Sequence, residues 1–259
     1  MPRAGPEGRL VANSVLACAL AYNLVFFLQE LFLVLAKAAT PGLRPVLFHN
    51  NHTWTGHHPL VPLLQGSGAL ATIVAGAVSM LWLDRRPARS EGWRLLTLWM
   101  AVMGFAEALP QVVIGTFIPQ NDVGMAMGFL GLSTPGKAVA CGLALAALAA
   151  VGRWAAPHFL ALAPYGSRWG AAVARVVVPL LLLLPLAVPF RLPGAPIEVL
   201  FPPGVDALAA LAAISAWAPT GVAPPTRAVE PTPVWKPFLA LFLLLAAFQI
   251  GLRPGIPFF

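Results

Sequence analysis

The chain has 259 residues and a formal net charge of +7, yet only 10% of it is charged and 59% is hydrophobic. A soluble domain carries about 25% charged residues, so this composition excludes a chain that covers itself with polar surface. The arginines fall in short stretches between apolar runs and not among aromatics, which excludes a nucleic-acid platform and makes the basic charge a matter of membrane topology.

The first apolar run, at about 11–38, is too long for the apolar core of a cleaved signal peptide and reads as a retained membrane helix. Within it Asn23, Glu30 and Lys37 recur every seven residues, with Gln29 beside Glu30. A polar stripe of this kind must face protein or water, so it points into the bundle. Pro41, Gly42 and Pro45 end the helix. The loop LFHNNHTWTGHHP follows and holds four of the five histidines: His49, His52, His57 and His58.

The second span, at about 61–83, is rich in small residues that let helix backbones approach closely. Gln65, Thr72 and Ser79 give it an inward polar seam of its own. It ends in DRRPARSEGWR, whose arginines mark a cytoplasmic loop, so the histidine loop is expected outside. The third span, at about 95–118, carries Glu107, with Gln111 one turn on and Pro110 between them. Pro110 cannot donate and frees the carbonyl of Ala106 beside the acid. Asn121 and Asp122 lie in the next outer loop. Ser133 followed by Pro135 reads as a helix cap for a fourth span at about 135–151.

A fifth span is expected at about 171–190 and a sixth at about 234–252. The run at about 205–217 is too short to cross a bilayer and reads as an interfacial or re-entrant helix. The fold class is therefore all-α: a polytopic membrane bundle of six spans in one domain, with both termini cytoplasmic. The alanine-, proline- and arginine-heavy composition points to the cytoplasmic membrane of a bacterium. Cys18 and Cys141 both fall in apolar spans, where a disulfide or cysteine metal site is not expected.

The chemistry concentrates on the outer side. Glu30 and Glu107 sit at similar depth and would repel unless a proton, Lys37 or a metal lies between them. An acid inside a span is a functional candidate by default, its plain alternative being a structural bridge to Lys or Gln. His49 and His52, spaced by three, are candidate ligands for a zinc or iron ion, since imidazole and carboxylate together suit those metals. Asn50, Asn51, Gln65, Gln111 and Asp122 are supporting polar groups. No H-E-x-x-H motif accompanies them.

Three functions remain open on the sequence. In the first, a membrane hydrolase or lipid-modifying enzyme uses Glu30 or Glu107 as ligand or base, on a lipid or lipid-linked substrate entering from the bilayer. The second is a proton-coupled carrier, and the third a non-catalytic subunit that meets membrane-protein partners through its small-residue faces.

Overall fold

A computed structural model describes residues 6–85, 90–162, 170, 172–192, 194–216 and 229–259. Its axis is α1 (Pro6–Ala38), an unbroken helix of 33 residues. Both Gly and interior Pro are absent beyond its first turn, so nothing in the sequence interrupts the helical hydrogen-bond ladder. Two short antiparallel strands follow, β1 (Arg44–Leu47) and β2 (His52–Thr55), so the histidine loop is a β-hairpin. Gly42 and Gly56 turn the chain at either side of it with positive φ, which a side chain would resist.

The chain then runs back through α2 (Val61–Leu64) and α3 (Gly66–Arg85), and out again through α4 (Glu91–Phe117). Ser90 starts α4 by accepting the Trp93 N–H. The short α5 (Asp122–Phe129) is capped by Asn121, and α6 (Thr134–Leu160) by Ser133, the cap expected there. Next come α7 (Val173–Arg191), π-wound over Val173–Val177, and α8 (Pro196–Ser215). The last helix is α9 (Trp235–Leu252), and β3 (Ile256–Pro257) pairs antiparallel with β1 to complete the order β2-β1-β3.

Among the described residues seven helices are long and apolar enough to cross a membrane, not six. The difference is α8. Pro202 and Pro203 lie inside it, where they read in the sequence as a break, and the expected helix at about 205–217 is only its second half. A proline removes the hydrogen bond to the carbonyl four residues back. For Pro202 that carbonyl belongs to Glu198, and the Arg191 guanidinium supplies the missing donor at 3.0 Å. The fourth helix also extends beyond expectation, to Leu160.

A seventh long helix moves the end of the chain. Pairing of β3 with β1, and Phe258 N–H donating to the Pro45 carbonyl, hold the C-terminal residues beside the hairpin, at the end opposite to where α1 begins. Both termini were expected on the cytoplasmic side; in the structure the two ends of the described chain lie at opposite ends of the bundle. Lys236 now lies at the end where α1 starts, and Arg253 at the hairpin end.

The buried core runs along α1 and α4, with Tyr22, Leu98, Trp99, Met103 and Phe159 all fully enclosed. The small residues of α3 serve this packing. A Cβ on Gly104 would lie 2.6 Å from the Thr72 carbonyl oxygen and 2.7 Å from Gly76, so α3 and α4 cross with backbones in contact. Gly68 sits equally tightly on Gln29 and Leu33 of α1. Outward, Leu70, Val74, Val78 and Leu81 of α3, Leu143 of α6, and Phe238 and Phe242 of α9 are exposed.

Candidate functional site

Buried polar residues gather at the hairpin end, and α1 supplies the centre. The Lys37 side chain is fully buried. Its Nζ contacts His52 Nε2 at 2.9 Å, donates to Gln65 Oε1, and lies 4.6 Å from the centre of the Trp54 ring. His52 Nδ1 meets Glu30 Oε2 at 2.7 Å, and the imidazole stacks on Trp54. Gln65 passes the contact on, its Nε2 donating to Asp122 Oδ1 at 2.8 Å.

The direction of these bonds follows from the donors. An ammonium can only donate, so His52 Nε2 accepts and the ring proton sits on Nδ1, donated to Glu30. The result is a Lys37–His52–Glu30 relay, with Glu30 at its cavity end. Positions 30 and 37 stack on one face of α1, and the β2 strand lowers His52 between them.

Beyond Glu30 lies a cavity of about 260 Å³. Glu30, Glu107, Asp122, Glu198 and Asp206 line it, so five of the nine acidic residues in a basic protein surround one space. Arg191 is the guanidinium on its wall. Arg191 donates to the Tyr22 hydroxyl at 3.2 Å and lies 4.1 Å from the centre of the Phe26 ring. Gln111 spans two helices, donating to Gln29 Oε1 at 2.7 Å and to the Glu107 carbonyl at 3.0 Å. The carboxyl groups of Glu107 on α4 and Asp206 on α8 are in hydrogen-bonding contact, while Glu107 Oε2 and Asp206 Oδ2 have no partner.

Asp122, outside the long helices, has its carboxyl pushed up to about 6. Burial is the main cause and the Glu30 charge adds to it, while His52 and Lys37 act in the opposite direction.

The expected site residues do not all meet. His49 turns away from His52 into a crevice beside Asn23, Phe190, Arg191 and Gln249. Burial, and then the guanidiniums of Arg253 and Arg191, hold its imidazole below the usual range, so it stays neutral at pH 7. The Leu192 backbone, near the ring, acts in the opposite direction and only weakly. Lys37 occupies the ring nitrogen that His52 would offer a metal, and two arginines face His49. Among the described residues no three His, Cys, Asp or Glu side chains converge as a metal site. The structure thus gives His49 and His52, expected as a zinc or iron pair, separate surroundings.

Asn23 donates to its own helix, to the Ala19 carbonyl at 2.8 Å. Asn50 donates to the Arg191 carbonyl at 2.8 Å and ties the hairpin to the end of α7. Asn51 is exposed in the hairpin turn, its carbonyl accepting the Phe48 N–H. His57 is exposed, and His58 Nδ1 accepts the Leu60 N–H.

Three cavity residues escaped the sequence reading. Arg191 and Glu198 fall outside the spans expected from the sequence, at about 171–190 and 205–217. Asp206 obeys the same rule that picked out Glu30, an acid in an apolar helix, but Pro202-Pro203 hid that helix. Comparison with protein-family models, curated proteins and solved structures gave no match, so this site rests on its own geometry.

Proposed function

We propose that the chain is an integral membrane protein whose hairpin-end cavity hydrolyses a lipid or lipid-linked molecule, with Glu30 as general base. The carrying observation is the relay: His52, itself held by Lys37, fixes Glu30 Oε2 at 2.7 Å on a cavity wall. A carboxylate oriented in this way can take a proton from a cavity water through its other oxygen. The hydroxide attacks a carbonyl or phosphoryl centre, and Glu30 returns the proton to the leaving oxygen. The catalytic carboxylate is Glu30; Glu107, the other candidate, contacts Asp206 and not the histidine.

Membrane residence is supported by the seven long apolar helices and by the large apolar side chains their outer faces expose, more than soluble monomers tolerate. Arginines near the start of α1 and between α3 and α4 orient that end to the cytoplasm, here of a bacterium, and the hairpin outward. With the site in the outer half of the bundle, substrate enters from the bilayer. A second reading, a proton-coupled carrier, is favoured by the five acids around one cavity. Partner docking through small residues has less support, because Gly68, Gly76 and Gly104 are used in contacts within the chain.

The test places the purified chain in nanodiscs of bacterial lipid extract in ¹⁸O-water and follows lipid products by mass spectrometry. Product carrying ¹⁸O, lost in Glu30→Gln and in His52→Ala, is expected. Absence of product from every lipid class, or product formation indifferent to Glu30→Gln, would refute hydrolysis and leave the carrier.

A further inference from the structure

The relay leaves part of the cavity wall without a role. There Glu107 and Asp206, only 4% and 3% exposed, bring two carboxyl groups together from α4 and α8. Carboxyl groups in contact need a positive charge or a proton between them. No hydrogen bond from either nearby cation to the pair is seen, although the Arg191 charge acts on both carboxyls through space. Lys37 is bound to His52 and Gln65. Arg191 gives one terminal nitrogen to Tyr22, the other to the Glu198 carbonyl, and its face to Phe26. Glu107 Oε2 and Asp206 Oδ2 therefore stand buried and unpartnered at the cavity wall.

The surroundings decide what kind of cation suits them. Calcium takes six to eight oxygen ligands, and magnesium a near-ideal octahedron. Here the wall carries Phe26, Ile114, Phe201 and Val205 beside its polar groups, and among the described residues no three His, Cys, Asp or Glu side chains converge as a metal site. An organic ammonium matches both features: its N–H groups serve two carboxylate oxygens, and its carbon substituents lie against apolar and aromatic side chains.

We propose that Glu107 and Asp206 form the recognition site for an organic ammonium group carried by the molecule that enters the cavity. In the empty cavity one proton bridges the two carboxyls. On binding, the ammonium replaces that proton, which leaves to solvent, so the pair together with its ligand carries the same net charge as the singly protonated pair. The groups facing the pair are Glu30, Gln29 and Tyr22 from α1, Arg191 from α7 and Glu198 from α8. The inference rests on the cavity being the working site, but not on hydrolysis.

The experiment is calorimetric titration of the full chain in detergent with ethanolamine, and with ethylene glycol as the uncharged isostere, in two buffers of different ionisation enthalpy. Ethanolamine is expected to bind with release of about one proton, ethylene glycol not at all, and affinity to rise with pH. Asp206→Asn and Glu107→Gln should each weaken binding by about tenfold or more. A wild-type chain that binds ethanolamine with proton release yet yields no ¹⁸O-labelled product would keep this site and refute the hydrolase reading, which separates the two. Absence of ethanolamine binding, equal binding of ethylene glycol, or binding without proton release would overturn the proposal. These readouts need only the wild-type chain, so they stand even where a variant fails to fold.

Discussion

The molecule buries acids at both ends and treats them in opposite ways. Where α1 begins, Glu91 has both oxygens occupied: Asn13 donates to Oε1 at 2.6 Å, and Arg9 lies 3.3 Å from Oε2. Asn13 also donates to the Thr232 carbonyl, and Thr232 Oγ1 accepts the Gly92 N–H at 2.8 Å. One carboxylate thus ties α1, α4 and the approach to α9 together. At the hairpin end, five carboxyl groups surround a cavity with two cations among them, and two oxygens are left over. A closed network of this kind contributes stability, whereas an open one holds strain that only a ligand or proton relieves. The contrast marks which end is scaffold and which is site.

The largest effect is expected from Lys37→Met. It removes the shared donor of His52 and Gln65 and leaves Glu30 and Asp122 buried without their cation, at a cost of about 3 kcal/mol. Thermal unfolding in detergent measures it, and a loss under about 1 kcal/mol would mean that the relay is incidental. Glu91→Ala should cost about 2 kcal/mol, reduced by the partial exposure of Arg9, while leaving ethanolamine affinity unchanged. An affinity change there would blur the division between the ends.

Asp122→Asn should act in the opposite sense. The folded chain holds the Asp122 proton up to about pH 6, whereas an unfolded aspartate releases it near pH 4. Raising pH through that window therefore favours unfolding, and the penalty is fully present at pH 7. The amide can still accept from Gln65, so the variant should be more stable by about 1 kcal/mol at pH 7 and equal to wild type at pH 3.5. A variant less stable than wild type at both pH values would contradict this. The smallest effect is that of His49→Gln. The depressed imidazole costs stability as pH falls below about 6.5, because the unfolded chain binds that proton more readily. The variant should lose less stability between pH 7 and pH 5 than wild type, seen as a smaller drop in melting temperature.

Much of the scaffold was legible in the sequence because a bilayer imposes length and hydropathy on each span. The seven-residue spacing of Glu30 and Lys37 foretold a shared inward face, and Ser133 its cap. What stayed hidden depends on contacts distant in the chain. Proline in α8 looked like a break because sequence does not show the Arg191 donor that satisfies the freed Glu198 carbonyl. With α8 hidden, Asp206 lost its partner Glu107, and the end of the chain was expected at the end where α1 begins. Likewise the i, i+3 spacing of His49 and His52 suggests one ligand pair only on a helical turn. In a β-hairpin the two are carried on separate partners.

The division between scaffold and site is tested most directly by labelling the full chain with a hydrophobic carbodiimide, which adds to protonated carboxyl groups, and locating the adducts by peptide mass spectrometry. The account predicts adducts on Glu107 or Asp206, with Glu91 unlabelled. Labelling of Glu91 alone, or no adduct on either member of the pair, would contradict it.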